Sequence, residues 1–143
     1  MRMTPTSDAV WTLRADGGSR GNPGPGAIGY VLYDESGREV EAKGEFLGVC
    51  TNNVAEYRSL IAGLIAAARH GVPKLVVRMD SELVVRQMLG QYKVKNEGLK
   101  RLHAEARAAL ARVGVVSFEA VPRDDNGRAD GLVNEALDRA LLG

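Results

Sequence analysis

Apolar and polar positions follow two different rhythms along this chain. Ala9 to Asp16 and Ala27 to Asp34 are apolar, β-rich runs that predict two strands. Asp34-Glu35-Ser36-Gly37 is a turn sequence, and Arg38 to Leu47 predicts a third strand, in a hairpin with the second. The rhythm then changes. Between Asn53 and His70, the residues Tyr57, Leu60, Ile61, Leu64, Ile65 and Ala68 recur at helical spacing and form one apolar face. Gly71 ends this helix and Pro73 prevents its continuation. Leu75 to Met79 predicts a short strand, apolar enough to be central. Asp80-Ser81 opens a second helix through Gln91, Tyr92 to Gly98 is a connector, and a third helix runs from Leu99 to Val113. Val115 to Val121 predicts a strand, Pro122 to Gly127 a polar loop, and Arg128 to Leu142 a last helix.

The order β-β-β-α-β-α-α-β-α predicts an α/β fold, a mixed sheet with helices on its faces. In such sheets, sites form beyond the carboxyl ends of the parallel strands. Asp16 and Asp80 each stand at such an end. Asp16 opens the stretch Asp16-Gly17-Gly18-Ser19-Arg20-Gly21-Asn22-Pro23-Gly24-Pro25-Gly26, whose glycines allow close backbone approach beside a carboxylate. Gly24-Pro25-Gly26 predicts a stiff turn. No Gly-Lys-Ser/Thr ending is present, and an apolar β-rich run rather than a helix follows, so this is not a phosphate loop.

Composition narrows the class. At 143 residues the chain is expected to be one domain over 9–143, behind a flexible lead-in over 1–8 that lacks the apolar core of a signal peptide. No apolar run is long enough to cross a bilayer, so no membrane partner is expected. The single Cys50 excludes an internal disulfide and fits a reducing, cytoplasmic setting. A net charge of +1 neither demands nor excludes a polyanionic partner.

Four acids then stand out. Each has a structural explanation: Asp16 as a turn former, Glu56 as part of a capping box with Asn53 as cap, Asp80 as cap of the second helix, and Asp130 in the first turn of the last. Together they lie at strand ends and helix starts that one sheet edge can gather. Converging carboxylates repel and raise one another's pKa, an arrangement useful mainly around divalent cations. Carboxylate oxygens suit Mg²⁺ or Mn²⁺, and His70 and His103 have no ligand-like spacing. The implied chemistry is two-metal phosphoryl transfer, with ions roughly 3.5–4 Å apart.

Four ordered blocks carry a family resemblance. They are Asp16 to Gly26, Thr51-Asn52-Asn53-Val54-Ala55-Glu56, Asp80-Ser81, and Asn126-Gly127-Arg128-Ala129-Asp130. On these, the chain resembles type 1 ribonuclease H from about Ala9 to Leu142. The resemblance implies the ribonuclease H-like fold: a five-stranded mixed sheet, the first three strands antiparallel and the fourth and fifth parallel to the first, flanked by helices. It implies endonucleolytic hydrolysis of the RNA strand of an RNA/DNA hybrid, leaving 5′-phosphate and 3′-hydroxyl ends. It makes Asp16, Glu56, Asp80 and Asp130 the catalytic ligands of two Mg²⁺ or Mn²⁺ ions. It also places Asn22, Asn52 and Asn53 against the hybrid, Thr51 against a DNA-strand phosphate, and the backbone of Gly17, Gly18, Ser19, Arg20 and Gly21 beside the RNA.

The departures carry information too. The lysine- and tryptophan-rich excursion of many relatives is reduced to Tyr92–Gly98, leaving Lys93, Lys95, Lys100 and Arg101 as a smaller basic patch. Glu82 replaces a glutamine that contacts the hybrid in many relatives, and Gly131 replaces a better helix former. No histidine lies between Val115 and Asp130. Arg123 instead matches an arginine of an archaeal and bacterial subgroup, and is assigned as a fixed cation beside the scissile or departing phosphate. Some members of that subgroup are associated with cleavage of double-stranded RNA, a further partner left open here. A non-catalytic hybrid-binding module is disfavoured, because a pure binder has no reason to turn four acids toward phosphate. Another nuclease of the same fold is disfavoured by the Gly-Pro-Gly loop and the asparagine pair. A monomer suffices.

Overall fold

The computed structural model describes residues 8–143, so the lead-in expected over 1–8 falls, apart from Asp8, outside the described residues. Five strands form one sheet: β1 (Val10–Ser19), β2 (Gly24–Tyr33), β3 (Glu39–Cys50), β4 (Lys74–Met79) and β5 (Val115–Ala120), in the order β3-β2-β1-β4-β5. β2 runs antiparallel to β1 and β3, whereas β4 is parallel to β1 and β5 parallel to β4. The helices are α1 (Asn52–Arg69), α2 (Glu82–Met88), α3 (Glu97–Leu110) and α4 (Gly127–Leu142), with a 3-10 turn over Arg123–Asn126. The mixed five-stranded architecture is the one expected. β4 lies between β1 and β5, and the central strand is β1.

Several boundaries differ from expectation. β1 continues through Gly17, Gly18 and Ser19, and Asp16 pairs with Gly29 inside the β1–β2 ladder. Gly24-Pro25-Gly26 is strand, not turn, because all three residues pair with the end of β3. That pairing also extends β3 beyond Leu47 to Cys50, past an irregularity beside Gly48, whose φ of 82° suits only glycine readily. The loop proper is reduced to Arg20–Pro23, closed by the Arg20 amide donating to the Pro25 carbonyl at 2.8 Å. Farther along the chain, α2 stops at Met88 rather than Gln91, and the polar loop contains the 3-10 turn.

Two apolar layers sandwich the sheet. The larger packs Leu13, Leu32, Tyr57, Leu60, Leu64, Leu75 and Val77 with α3 residues Leu102 and Ala106. The smaller joins Ala27 of β2 to Val133, Ala136 and Leu137 of α4. The α1 face is rotated from the expected one. Tyr57, Leu60 and Leu64 are fully buried, but Ile65 is 42% exposed and Gly63, Ala66 and Ala67 take buried places. Small residues win there because α1 lies close to the sheet: a Cβ on Gly63 would stand 2.6 Å from Leu13 Cδ2. Away from the sheet's acidic end, Glu41 of β3 accepts from Tyr30 and from Arg69 and contacts His70, tying β3 to the end of α1. The Arg69 hydrogen bond leads in pulling the Glu41 carboxyl down to about 2. Among the described residues, no helix is long and apolar enough to cross a membrane.

Two glycines give opposite expectations. A Cβ on Gly29 would meet the Ala129 carbonyl oxygen at 2.3 Å, so Gly29→Ala must push α4 off the sheet. It should lower stability by about 1–3 kcal/mol. Gly131, inside α4, has nothing within 4 Å of an added Cβ. Gly131→Ala should raise stability by roughly 0.5–1 kcal/mol. Urea midpoints at constant m-value would check both signs.

Candidate active site

Four elements deliver the acids. Asp16 lies on β1 two residues beyond the last β1–β4 pair, Arg14 with Arg78. Asp80 follows β4 by one residue, Glu56 is in the second turn of α1, and Asp130 is in the first turn of α4. All four line one cavity of about 440 Å³, together with Gly17, Gly18, Ser19, Arg20, Asn52, Arg123 and Asn134.

The expected capping roles fall to neighbouring hydroxyls. Thr51, not Asn53, caps α1, its Oγ1 accepting from the Val54 amide at 3.3 Å. Ser81, not Asp80, caps α2, its Oγ accepting from the Val84 amide at 3.3 Å. Both changes leave carboxylates available to the cavity. Glu56 stands past the reach of a capping box counted from Thr51.

Burial and mutual repulsion set the electrostatics. Asp16 is 9% exposed. Its carboxyl is pushed up to about 8, first by burial, then by Asp80 and Asp130. Glu56 is also raised, chiefly by burial; a hydrogen bond with Ser81 opposes the rise, Asp80 adds to it, and Arg123 opposes it. Arg123 Nε lies 3.9 Å from Asp80 Oδ2, with its side chain 82% exposed. The residue expected to supply a cation therefore stands at the acid cluster.

The cavity lining contains neither histidine nor cysteine, and its four carboxylates are hard oxygen donors. This donor set fits divalent cations of the Mg²⁺ and Mn²⁺ kind. Among the described residues, no three His, Cys, Asp or Glu side chains close on a common point.

The remaining expected residues divide. The Asn52 Oδ1 accepts from the Ser19 amide at 2.9 Å, and the Asn52 amide donates to Asn22 Oδ1 at 3.1 Å. These bonds lash the Arg20–Pro23 loop to the start of α1. Asn52 lines the cavity, whereas Gly21, Asn22, Thr51 and Asn53 do not. Glu82 is turned onto its own helix, paired with Arg86 at 2.7 Å.

Several positioning residues were not singled out from the sequence. Asn126 is 1% exposed and donates from Nδ2 to the Ala15 carbonyl at 2.9 Å and to Asp80 Oδ1 at 3.4 Å. Arg14 donates to the Asp125 carbonyl. Arg14 and Ala15 thus hold the end of the Arg123–Asn126 turn to β1. Asn134 donates from Nδ2 to Asp130 Oδ2 at 3.3 Å. Its spacing of four from Asp130 on a helix was the available signal.

The sign of the Asp16 shift gives a pH dependence for the metal-free protein. With the folded carboxyl near 8 against an ordinary 3.8, the native state holds a proton that the unfolded chain releases between those values. Stability therefore falls as pH rises through that window. Asp16→Asn removes this loss and should be the more stable protein at pH 8 but not at pH 4. Thermal midpoints against pH in chelator would check it.

Comparison with known proteins agrees with this geometry. The family described as reverse transcriptase-like matches residues 14–136. A ribonuclease H of Hydrogenovibrio crunogenus is 34% identical, covering 88% of this chain and 94% of its own length. A ribonuclease HI of Halobacterium salinarum is 46% identical over 87% of this chain and 63% of its own length. The crystal structure of RNase H1 from that archaeon superposes with a TM-score of 0.88 at 44% identity, covering 91% of this chain and 98% of that one. LC11-RNase H1, solved in complex with RNA/DNA hybrid, gives 0.87 at 46% identity, covering 92% and 99%. This chain spans only 35% of a bifunctional protein of Mycobacterium tuberculosis, to which it is 48% identical over 90% of its own length. The match follows that protein's N-terminal RNase H domain, with a TM-score of 0.90 and 43% identity, over 94% of this chain and 98% of the domain. The chain belongs to the ribonuclease H family.

Proposed function

We propose that this chain is an endonuclease that hydrolyses the RNA strand of RNA/DNA hybrids, acting as a monomer with two divalent cations, Mg²⁺ or Mn²⁺. The observation that carries the reading is the convergence of Asp16, Glu56, Asp80 and Asp130, from four elements of one chain, on a single cavity. The hybrid bound to LC11-RNase H1 supports the choice of substrate.

Asp16, Glu56, Asp80 and Asp130 would hold the cations, which when bound offset the charge of the phosphodiester and favour attack by water. Asn126 holds the Asp80 carboxylate and Asn134 the Asp130 carboxylate, so both are oriented before substrate arrives. Asn52, its Oδ1 fixed by Ser19, offers its amide nitrogen to the sugar edge, where a 2′-hydroxyl distinguishes RNA from DNA. Arg123 presents a permanent positive charge to the reacting or departing phosphate; a guanidinium cannot serve as the base. Water oxygen bonds to phosphorus, the bond from phosphorus to O3′ breaks in line, and the ends are 5′-phosphate and 3′-hydroxyl.

The test is an end-labelled RNA/DNA hybrid with Mg²⁺ or Mn²⁺, beside a duplex RNA of the same sequence. Internal cleavage of RNA in the hybrid is expected, with loss by at least about a thousandfold in Asp16→Asn. Binding without cleavage under either ion would replace the reading by a hybrid-binding module. Cleavage of the duplex RNA as well would extend the substrate class. Arg123→Ala should lower kcat about tenfold with little change in KM, and Arg123→Lys should recover part of it.

A further inference from the structure

Arg20 and Arg123 are the two cations that line the acid cavity. Unlike Arg123, Arg20 is engaged by α4. Its Nη2 lies 2.8 Å from Asp138 Oδ1 and donates to Asn134 Oδ1 at 3.3 Å. Asn134 in turn donates from Nδ2 to the Asp130 carbonyl at 3.1 Å and to its carboxylate. Asp130, Asn134 and Asp138 follow at intervals of four along α4 and so form one ridge. Arg20 reaches that ridge from the end of β1.

We propose that Asp138 is an affinity-setting residue: a counter-charge that parks Arg20 on α4 and that a substrate phosphate must displace. The inference rests on the nucleic-acid reading of the cavity. The Arg20 and Asp138 side chains are 42% and 54% exposed. Water screens such a pair, so it is weak. A phosphate oxygen offers the guanidinium a charge-assisted, two-pronged alternative. Arg20 therefore leaves Asp138 readily when a phosphate arrives, and is drawn back toward α4 when none does. Asp138 lowers the resting affinity for any polyanion while keeping the cation within reach of the reacting strand. Its carboxylate belongs to the surface of α4 and takes no part in holding cations or in bond breaking.

The test measures binding of a fluorescent RNA/DNA hybrid in chelator, so that nothing is cut, across a salt series. Asp138→Asn should bind about two- to fivefold tighter. Arg20→Gln should bind more weakly, with a salt slope shallower by nearly one unit. In the Arg20→Gln background, Asp138→Asn should gain no more than Glu135→Gln does. Glu135 is an exposed acid of the same helix with no ion pair among those found in the described residues, and it measures the effect of net charge alone. Equal gains from Asp138→Asn with and without Arg20 would overturn the proposal, as would weaker binding by Asp138→Asn alone. If the unaltered chain neither binds the hybrid in chelator nor cuts it with Mg²⁺ or Mn²⁺, the substrate reading falls and takes this inference with it. Tight binding with additive substitutions overturns the Arg20–Asp138 device and leaves the substrate reading intact.

Discussion

Mutual repulsion among four carboxylates is the constraint on which this structure turns. A flexible chain would relieve it by letting the acids drift apart. Here Asp16, Glu56 and Asp130 are mounted on β1, α1 and α4, Asp80 directly follows β4, and close backbone contacts fix α1 and α4 against the sheet. A Cβ on Gly17 would lie 2.2 Å from the Ala55 carbonyl oxygen, one residue before Glu56. A Cβ on Gly29, the partner of Asp16 across the ladder, would lie 2.3 Å from the Ala129 carbonyl oxygen, one residue before Asp130. Backbone-to-helix contact at two glycines therefore sets where α1 and α4 present their acids around Asp16. Burial at that place, and then the neighbouring Asp80 and Asp130, raise the Asp16 carboxyl.

Polar side chains then refine what the backbone imposes. Asn126 spans from the Ala15 carbonyl to Asp80, and Asn134 spans from Asp130 to Arg20. Each amide offers one donor group to a carboxylate and so orients it without adding charge. Two of the helices that begin at the site, α1 and α2, are capped by Thr51 and Ser81, neutral hydroxyls that free Glu56 and Asp80 from that task.

Much of this was legible before the structure. The strand and helix order led to a mixed sheet with helices on its faces, and the family resemblance supplied its five strands and their directions. What escaped has physical causes. Glycine carries no hydrophobic signal, so Gly24-Pro25-Gly26 read as turn although β3 pairs with it. Small residues likewise hide close packing, so Gly63, Ala66 and Ala67 were passed over on α1 while the larger Ile65 was assigned inward. Caps misled because Asn53 and Asp80 are as competent as the hydroxyl residues beside them. The Arg20–Asn134 bond joins positions 114 residues apart, and no local pattern encodes such a meeting. Arg123 begins a short turn that is held to β1, and its Nε stands 3.9 Å from Asp80.

The acids lie at positions 16, 56, 80 and 130, on elements drawn from nearly the whole length of the chain. No contiguous half of the polypeptide contains all of them. During synthesis, an emerging chain has three of the four acids long before α4 closes on β2 and brings in Asp130. The cavity is therefore complete only when the fold is complete, so a nascent or partly unfolded chain has no assembled centre with which to act on nearby nucleic acid.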